Sequence, residues 1–343
     1  MKVLKSVLLL AVLSILGLVI WASTTDRTYR VERTRTVPAP KEVVFEYVGN
    51  YNNWNDWSPW IENPDDATFV LEKEGIGVGS SYYWKANDEE DEHIGEGKMT
   101  TIEYEKNKSM VQHLAFIKPW ESECHTSWDF KSTDKGVEVT WAMYGEDNVM
   151  NKIVMLFLGS LDEMVGPDFE RGLENIEKAS IAAINKTYMN VDGVVEYPAI
   201  KYLYIARKSS IEEVGVNIQT YMPKLGMFFG MNNIKSDGMP FTKYNVWDEK
   251  SKTAEFELGI PVLEKPEMDL GNFSYGETDA FKAIKVVFKG DYKHLAKAWE
   301  FAMEYIGENK LEMNGAPMEV YETDPGTEPN PANVKTVIYI PIK

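Results

Sequence analysis

One cysteine in 343 residues, Cys124, excludes an internal disulfide and a zinc site built from several thiolates, and leaves the redox compartment open. Histidine is nearly as scarce. His93, His113, His125 and His294 are scattered, form no H-E-x-x-H pair and offer no metal-ligand spacing. Cys124 and His125 are neighbours in a strand pattern and so point to opposite faces, which disfavours a thiolate–imidazole pair. Basic charge is short as well: 36 Lys and Arg stand against 54 Asp and Glu, for a net charge of -18. The phosphate neutralisation that a nucleic-acid binder depends on is therefore missing, and nucleic acid is not an expected partner. There is no G-x-S-x-G, phosphate loop or dinucleotide fingerprint; "GIGVG" at 75–79 has no helix opening after it and reads as a turn. Neither a metal nor a cofactor is expected.

Apolar residues are ample, at 44% with 12% aromatic, and the length suits about two domains. The first 26 residues stand apart. Lys2 and Lys5 precede an uncharged run from Ser6 to Thr25, and a helix of that length spans roughly 30 Å, about the thickness of a bilayer's hydrocarbon. A cleaved signal peptide is the competing reading. Trp21 crowds its small-residue site, so residues 1–26 are read as an uncleaved single-pass membrane anchor. Arg27, Arg30, Arg33 and Arg35 compete with the two lysines under the positive-inside rule. The side is left open, with the soluble domains expected outside the cytoplasm.

"YRVERTRTV" at 29–37 alternates as a half-buried strand does, and "PAPKEVVFEYVGN" reads as a turn followed by a short amphipathic helix. A stretch rich in tryptophan, "NYNNWNDWSPW" at 50–60, comes next: either a packed corner or the rim of a cavity. Alternating segments follow at 68–71, 80–84, 97–104, 110–116, 123–130 and 137–143, a strand meander. The acidic run "NDEEDE" at 87–92 reads as a solvated hairpin tip, with a weak cation site as the alternative. "GPDFERGLENIEKASIAAI" then puts Phe169, Leu173, Ile176, Ser180 and Ala183 on one helical face, with Pro167 near the helix start. A curved antiparallel sheet closed by one long helix is a grip architecture able to hold a cavity. Trp57 is expected to anchor its corner, and Trp60, Trp84 and Trp141 to face its interior.

Polar "NKTYMNVDG" at 185–193 ends that helix and marks the boundary. An internal repeat follows. "GMPFTKYNVWD" from Gly238 and "GAPMEVYETDP" from Gly315 share Gly, Pro two later and Tyr six later, and "GIPV" at 259–262 is echoed by "YIPI" at 339–342. Each copy is preceded by a strand and a helix, so the pattern is a duplicated strand-helix-strand-strand unit with a groove between its two helices.

Residues 27–185, through "VPAPKEVVFEYVGNYNNWNDWSPW", "GVGSSYYW", "VTWAMYG" and "FERGLENIEK", resemble the SRPBCC superfamily, the START-like or polyketide-cyclase-like helix-grip fold. Residues 194–343, through "VVFKGDYKHLAKAWEFAMEYI", "APMEVYETDP" and "TVIYIPI", resemble the GyrI-like small-molecule-binding domain, also called the bacterial transcription activator effector-binding domain. The fold class expected is thus α+β: a helix-grip domain and a duplicated β-α-β-β domain of GyrI-like or SHS2 type, after one transmembrane helix. The second resemblance implies that Glu319 lies at the floor of a ligand groove. The residues agree that it is unusual, because the first repeat carries Thr242 at this position, and a lone carboxylate among tyrosines attracts a cation or a hydrogen-bond donor. Tyr321 shares its strand face; Tyr202, Tyr204, Tyr292, Trp299 and Tyr339 are candidate walls.

Effector-binding domains are often fused to a DNA-binding helix-turn-helix, and none is present in this sequence. The expected function is a membrane-tethered protein that binds a small hydrophobic or cationic molecule, for sensing or sequestration; protein partners stay unknown. The alternative, implied by hydrolases and cyclases among the relatives, is an enzyme with Glu319 as general base and Tyr321 as its partner. Binding is preferred, because no acid-base pair can be named from the residues.

Overall fold

A computed structural model describes residues 2–60, 63–88 and 94–343. Most of the acidic run, and His93, lie outside the described residues. The chain divides into two compact units, Met1–Ala183 and Ile184–Lys343. Both pair an antiparallel sheet with helices, an α+β architecture.

In the first unit, helix α1 (Lys2–Thr24) leads into strand β1 (Thr28–Val37). Helix α2 (Lys41–Gly49) starts directly after Pro40, and a 3-10 turn over Tyr51–Asp56 follows it. The remaining strands are β2 (Ala67–Glu72), β3 (Ser81–Ala86), β4 (Glu96–Glu105), β5 (Ser109–Lys118), β6 (Ser122–Thr133) and β7 (Gly136–Glu146). They form one sheet in the order β1-β7-β6-β5-β4-β3-β2, the order that successive hairpins produce, with β1 closing against β7.

Two helices complete the unit: α3 (Val149–Leu158) and α4 (Leu161–Ile184). Periodicity from Gly166 onward placed the right face inward, since Phe169, Leu173, Ile176, Ser180 and Ala183 are all buried. The helix nonetheless begins five residues earlier, leaving Pro167 inside it rather than at its start. The reason is a capping box. The Glu163 amide donates to Ser160 Oγ at 3.2 Å, while the Ser160 amide donates back to Glu163 Oε2 at 2.9 Å.

The second unit opens on β8 (Tyr188–Tyr197), which takes up most of the polar stretch expected to end the helix and mark the boundary; it is an edge strand paired with β13. The first repeat supplies β9 (Ile200–Ser210), α5 (Val214–Met231), β10 (Phe241–Asp248) and β11 (Thr253–Val262). After β12 (Ser274–Thr278), the second supplies β13 (Phe281–Lys289), α6 (Leu295–Glu308), β14 (Met318–Tyr321) and β15 (Lys335–Pro341). All eight strands share one sheet in the order β12-β9-β11-β10-β14-β15-β13-β8. The order is the same read from either end, so the repeats are related by a pseudo-two-fold axis. Each leading strand is exchanged: β8 pairs with β13 of the second repeat and β12 with β9 of the first.

The axis runs between β10 and β14, where Thr242 pairs with Glu319. On either side the Tyr244 amide donates to the Pro317 carbonyl and the Tyr321 amide to the Pro240 carbonyl, both at 2.9 Å. Apolar residues of α5 pack on β9 and β11, with Leu225, Phe229, Leu203 and Ile260 buried together. Those of α6 pack on β13 and β15, with Ala298, Ala302, Ile284 and Ile338 buried together.

Candidate functional site

Strand β14 is only four residues long, but it pairs on both sides, with β10 and with β15. Its backbone groups are thereby satisfied and its side chains divided strictly between two faces. Met318 and Val320 point to one, Glu319 and Tyr321 to the other, where Trp299 of α6 lies.

Glu319 is 3% exposed. The Trp299 indole Nε1 donates to its Oε1 at 2.6 Å; the hydroxyls of Tyr244 and Tyr321 donate to its Oε2 at 2.8 and 2.9 Å. Behind Tyr321 stands Thr242, with the two hydroxyl oxygens 2.7 Å apart. Tyr321 has one proton and directs it at the carboxylate, so Thr242 is the donor to Tyr321, and a short relay runs Thr242, Tyr321, Glu319. The rings form a cage: Tyr244 meets Trp299 edge to face at 5.8 Å, and Tyr292, just before α6, meets Tyr321 the same way at 5.9 Å.

Burial pushes the Glu319 carboxyl above its ordinary pKa, and the three donors pull it back only in part. Tyr244 and Tyr321 are driven well above their ordinary values, first by burial and then by the neighbouring carboxylate, so both keep the protons they donate. An acid enclosed by neutral donors and ring faces has no counter-charge among the described residues. What it can do chemically is stabilise a cation brought against the rings, or accept a proton.

Of the residues expected at the groove, Glu319, Tyr321, Tyr292 and Trp299 do come together. Tyr204 and Tyr339 do not. Tyr339 is in register with Met318, and Tyr204 lies in the row Tyr204, Gly259, Phe241, Val320, so both sit on the opposite face of the sheet, as does Tyr202. On that face Tyr202 donates to Glu257 at 2.8 Å, and the Lys243 ammonium donates to the same carboxylate at 3.1 Å. The residue that sequence reasoning missed at the site is Tyr244. Its signal was in the repeat, since Gly238, Pro240 and Tyr244 are the counterparts of Gly315, Pro317 and Tyr321.

The first unit's interior is built differently. Trp141 lies between Trp128 and Phe169, with ring centroids 4.4 and 3.9 Å away and nearly parallel planes, so both of its faces are covered. Trp57 closes the edge and donates its Nε1 to the Tyr47 carbonyl at 2.9 Å. The space into which Trp141 was expected to look is thus occupied by the protein's own rings. Trp60 and Trp84 are half-buried: the indole of Trp60 donates to Asp168 Oδ2 at 3.0 Å, and that of Trp84 to the Ile94 carbonyl at 3.1 Å. His113 and His125 are cross-strand neighbours with ring centroids 5.5 Å apart. Among the described residues, however, no group of three or more His, Cys, Asp or Glu could hold a metal ion. Two open hollows, one beside Pro38–Glu42 and one beside Arg33–Arg35 and α4, are lined by first-unit residues and contain none of the expected site residues.

Comparison with known families divides the chain as the two sheets do. Residues 28–180 match the family of polyketide cyclase / dehydrase and lipid transport, and residues 193–343 match the GyrI-like small molecule binding domain. No curated protein sequence matches. Similar solved structures include the C-terminal domain of EcmrR, 18% identical over 46% of this chain and 98% of that one, with a TM-score of 0.38. Protein CV1439 from Chromobacterium violaceum is 12% identical over 43% and 95%, with a TM-score of 0.32. SAV2435 bound to tetraphenylphosphonium is 10% identical over 45% and 94%, with a TM-score of 0.35.

Proposed function

We propose that this chain is a membrane-tethered binding protein for small lipophilic cations, held by α1 and recognising its ligand through Glu319 and the surrounding rings. The observation that carries the reading is a buried carboxylate whose three partners are all neutral donors. An unpaired buried charge is costly, and a cation within about 4 Å recovers roughly 4 kcal/mol at the effective dielectric typical of proteins. Tyr and Trp faces add about 0.5–2 kcal/mol each to a cation placed over them. Because Glu319 is so little exposed, the side chains around it must shift to admit a ligand.

Helix α1 has the length and composition of a membrane span, and roughly 35 Å of helix is enough to cross. The side on which the soluble units lie is left open, because Arg27, Arg30, Arg33 and Arg35 after the apolar run compete with Lys2 and Lys5 before it. A role in sensing or sequestration fits a site built for equilibrium binding.

The raised Glu319 pKa supports a second reading, in which the carboxylate is the general base of a hydrolytic or cyclising enzyme. Three of the acceptor positions of Glu319 are already taken, which favours binding over proton abstraction.

The test is a thermal-shift screen of the detergent-solubilised chain against lipophilic cations and neutral compounds of the same shape, in parallel with Glu319→Gln. At one hundred times Kd a ligand stabilises the native state by about 2.7 kcal/mol. Stabilisation by cations alone, abolished in Glu319→Gln, is expected. Equal shifts in both proteins with neutral compounds would remove Glu319 from recognition, and turnover with loss of activity in Glu319→Gln would favour the enzyme.

A further inference from the structure

Helix α3 is apolar almost all round. Of "VMNKIVMLFL" only Asn151 and Lys152 are polar. A helix of that character belongs either in a protein core or in lipid, yet none of its described side chains is buried. Met150 is 68% exposed, Leu156 is 52% exposed, and Met164, at the start of α4, is 49% exposed. The helix packs instead against α1.

The contact between them marks a level along α1. Lys152 of α3 places its ammonium 5.3 Å from the ring centroid of Trp21 and donates to the Asp26 carbonyl. Trp21 lies in the last turn of α1, and the side chains of the uncharged run before it are mostly exposed. Tryptophan and lysine at the end of an apolar helix are the side chains that settle at the headgroup layer of a bilayer. Whatever surface α1 crosses, Lys152 of α3 marks that level beside it. Ten residues span about 15 Å, too short to cross.

We infer that α3, with Met164, is a membrane-surface element whose exposed apolar side chains enter the boundary between lipid headgroups and acyl chains next to α1. The proposal rests on the reading of α1 as a membrane span, and its partner is the bilayer itself. Lipid is favoured over other occupants because α3 packs against α1, the helix read as the membrane span, and Met150 and Leu156 stay exposed beside it. Two attachments would fix the orientation of the first unit's sheet relative to the membrane, where a single helix followed by Thr25 and Asp26 would leave it free to swivel.

The experiment uses the full chain in vesicles of phosphatidylcholine with a minority of phosphatidylglycerol. Cys124, which is 5% exposed, is removed as Cys124→Ala. Should that variant not fold, the native residue is kept and its labelling is subtracted with an otherwise unsubstituted control. Spin labels are placed at Met150→Cys and Leu156→Cys. Leu13→Cys on α1 reports the anchor, and Val70→Cys on β2, at the sheet edge opposite β1, reports water. Relative accessibility to oxygen and to a water-soluble nickel chelate then gives depth.

The expected result is Leu13→Cys deep in the bilayer, Met150→Cys and Leu156→Cys about 5–10 Å below the headgroup surface, as for interfacial helices, and Val70→Cys in water. If Leu13→Cys is deep while Met150→Cys and Leu156→Cys match Val70→Cys, the surface role of α3 is overturned and the anchor stands. Dipolar broadening at Met150→Cys and Leu156→Cys without oxygen access would assign the face to a second copy of the chain, and equally overturn the proposal. Leu13→Cys in water would remove the anchor, and the inference with it.

Discussion

Glu319 faces two opposing demands: a charge that burial disfavours and three donors that favour it. The first dominates, and the pH dependence follows. With its folded pKa raised, the group's contribution to stability is fully present below the unfolded carboxyl value and is lost as pH rises through the folded one. Cation binding runs the other way. Affinity should hold at neutral pH and fall on acidification, beginning at a higher pH than for an ordinary exposed carboxylate; calorimetric titration across the acid range, with a neutral ligand as control, reads it directly. Tyr244→Phe and Tyr321→Phe should each cost about 1.5–3 kcal/mol at neutral pH, the range for hydrogen bonds to charged groups, and less in acid, when the carboxyl is neutral. Urea unfolding at two pH values checks this; a loss independent of pH would mean that the tyrosines only fill space. At this scale the sequence was half legible. Glu319 announced itself by breaking the repeat and Tyr244 by obeying it, whereas Tyr204 and Tyr339 were misplaced because alternation tells which residues share a face but not which face a given strand turns toward α6.

Among the elements, α4 holds the first unit's core through Phe169, whose ring lies 3.9 Å from that of Trp141. Phe169→Ala should cost about 3–5 kcal/mol, measured by chemical denaturation, because it removes one outer ring of the three-ring stack Trp128, Trp141, Phe169 and leaves a cavity. The cap matters less: Ser160→Ala should lower stability by about 1 kcal/mol. Apolar periodicity located this helix and its buried face, but its true start was hidden. The reciprocal bonds of Ser160 and Glu163 carry the helix through Pro167, and a proline near an expected start invites the reader to stop there. Helix α3 was illegible for a related reason, since a short run with no polar face has no period to detect. In the grip unit Trp57 and Trp141 are buried against Trp128 and Phe169, whereas Trp60 and Trp84, expected to face the interior with Trp141, are only half-buried, because spacing alone does not tell how deep a ring sits.

The molecule as a whole follows its two sheets. Residues 184–343 hold a complete sheet, both of its helices and every group of the Glu319 cage. That stretch expressed alone should fold cooperatively and retain the cation-dependent thermal shift; a fragment that unfolds would show that it depends on the rest of the chain. The duplication visible in the sequence has one more consequence, which lies in the register of β10 and β14. Because Thr242 and Glu319 face each other across the pseudo-two-fold axis, two identical repeats assembled as a dimer would set the acid against its own image, two carboxylates at one buried point. Like charges so placed cannot both ionise. Covalent joining of the repeats frees the twin position to become a threonine, so the axis carries one acid faced by a neutral side chain rather than a pair that must share a proton. The site is thus chemically odd-numbered in an even-numbered scaffold.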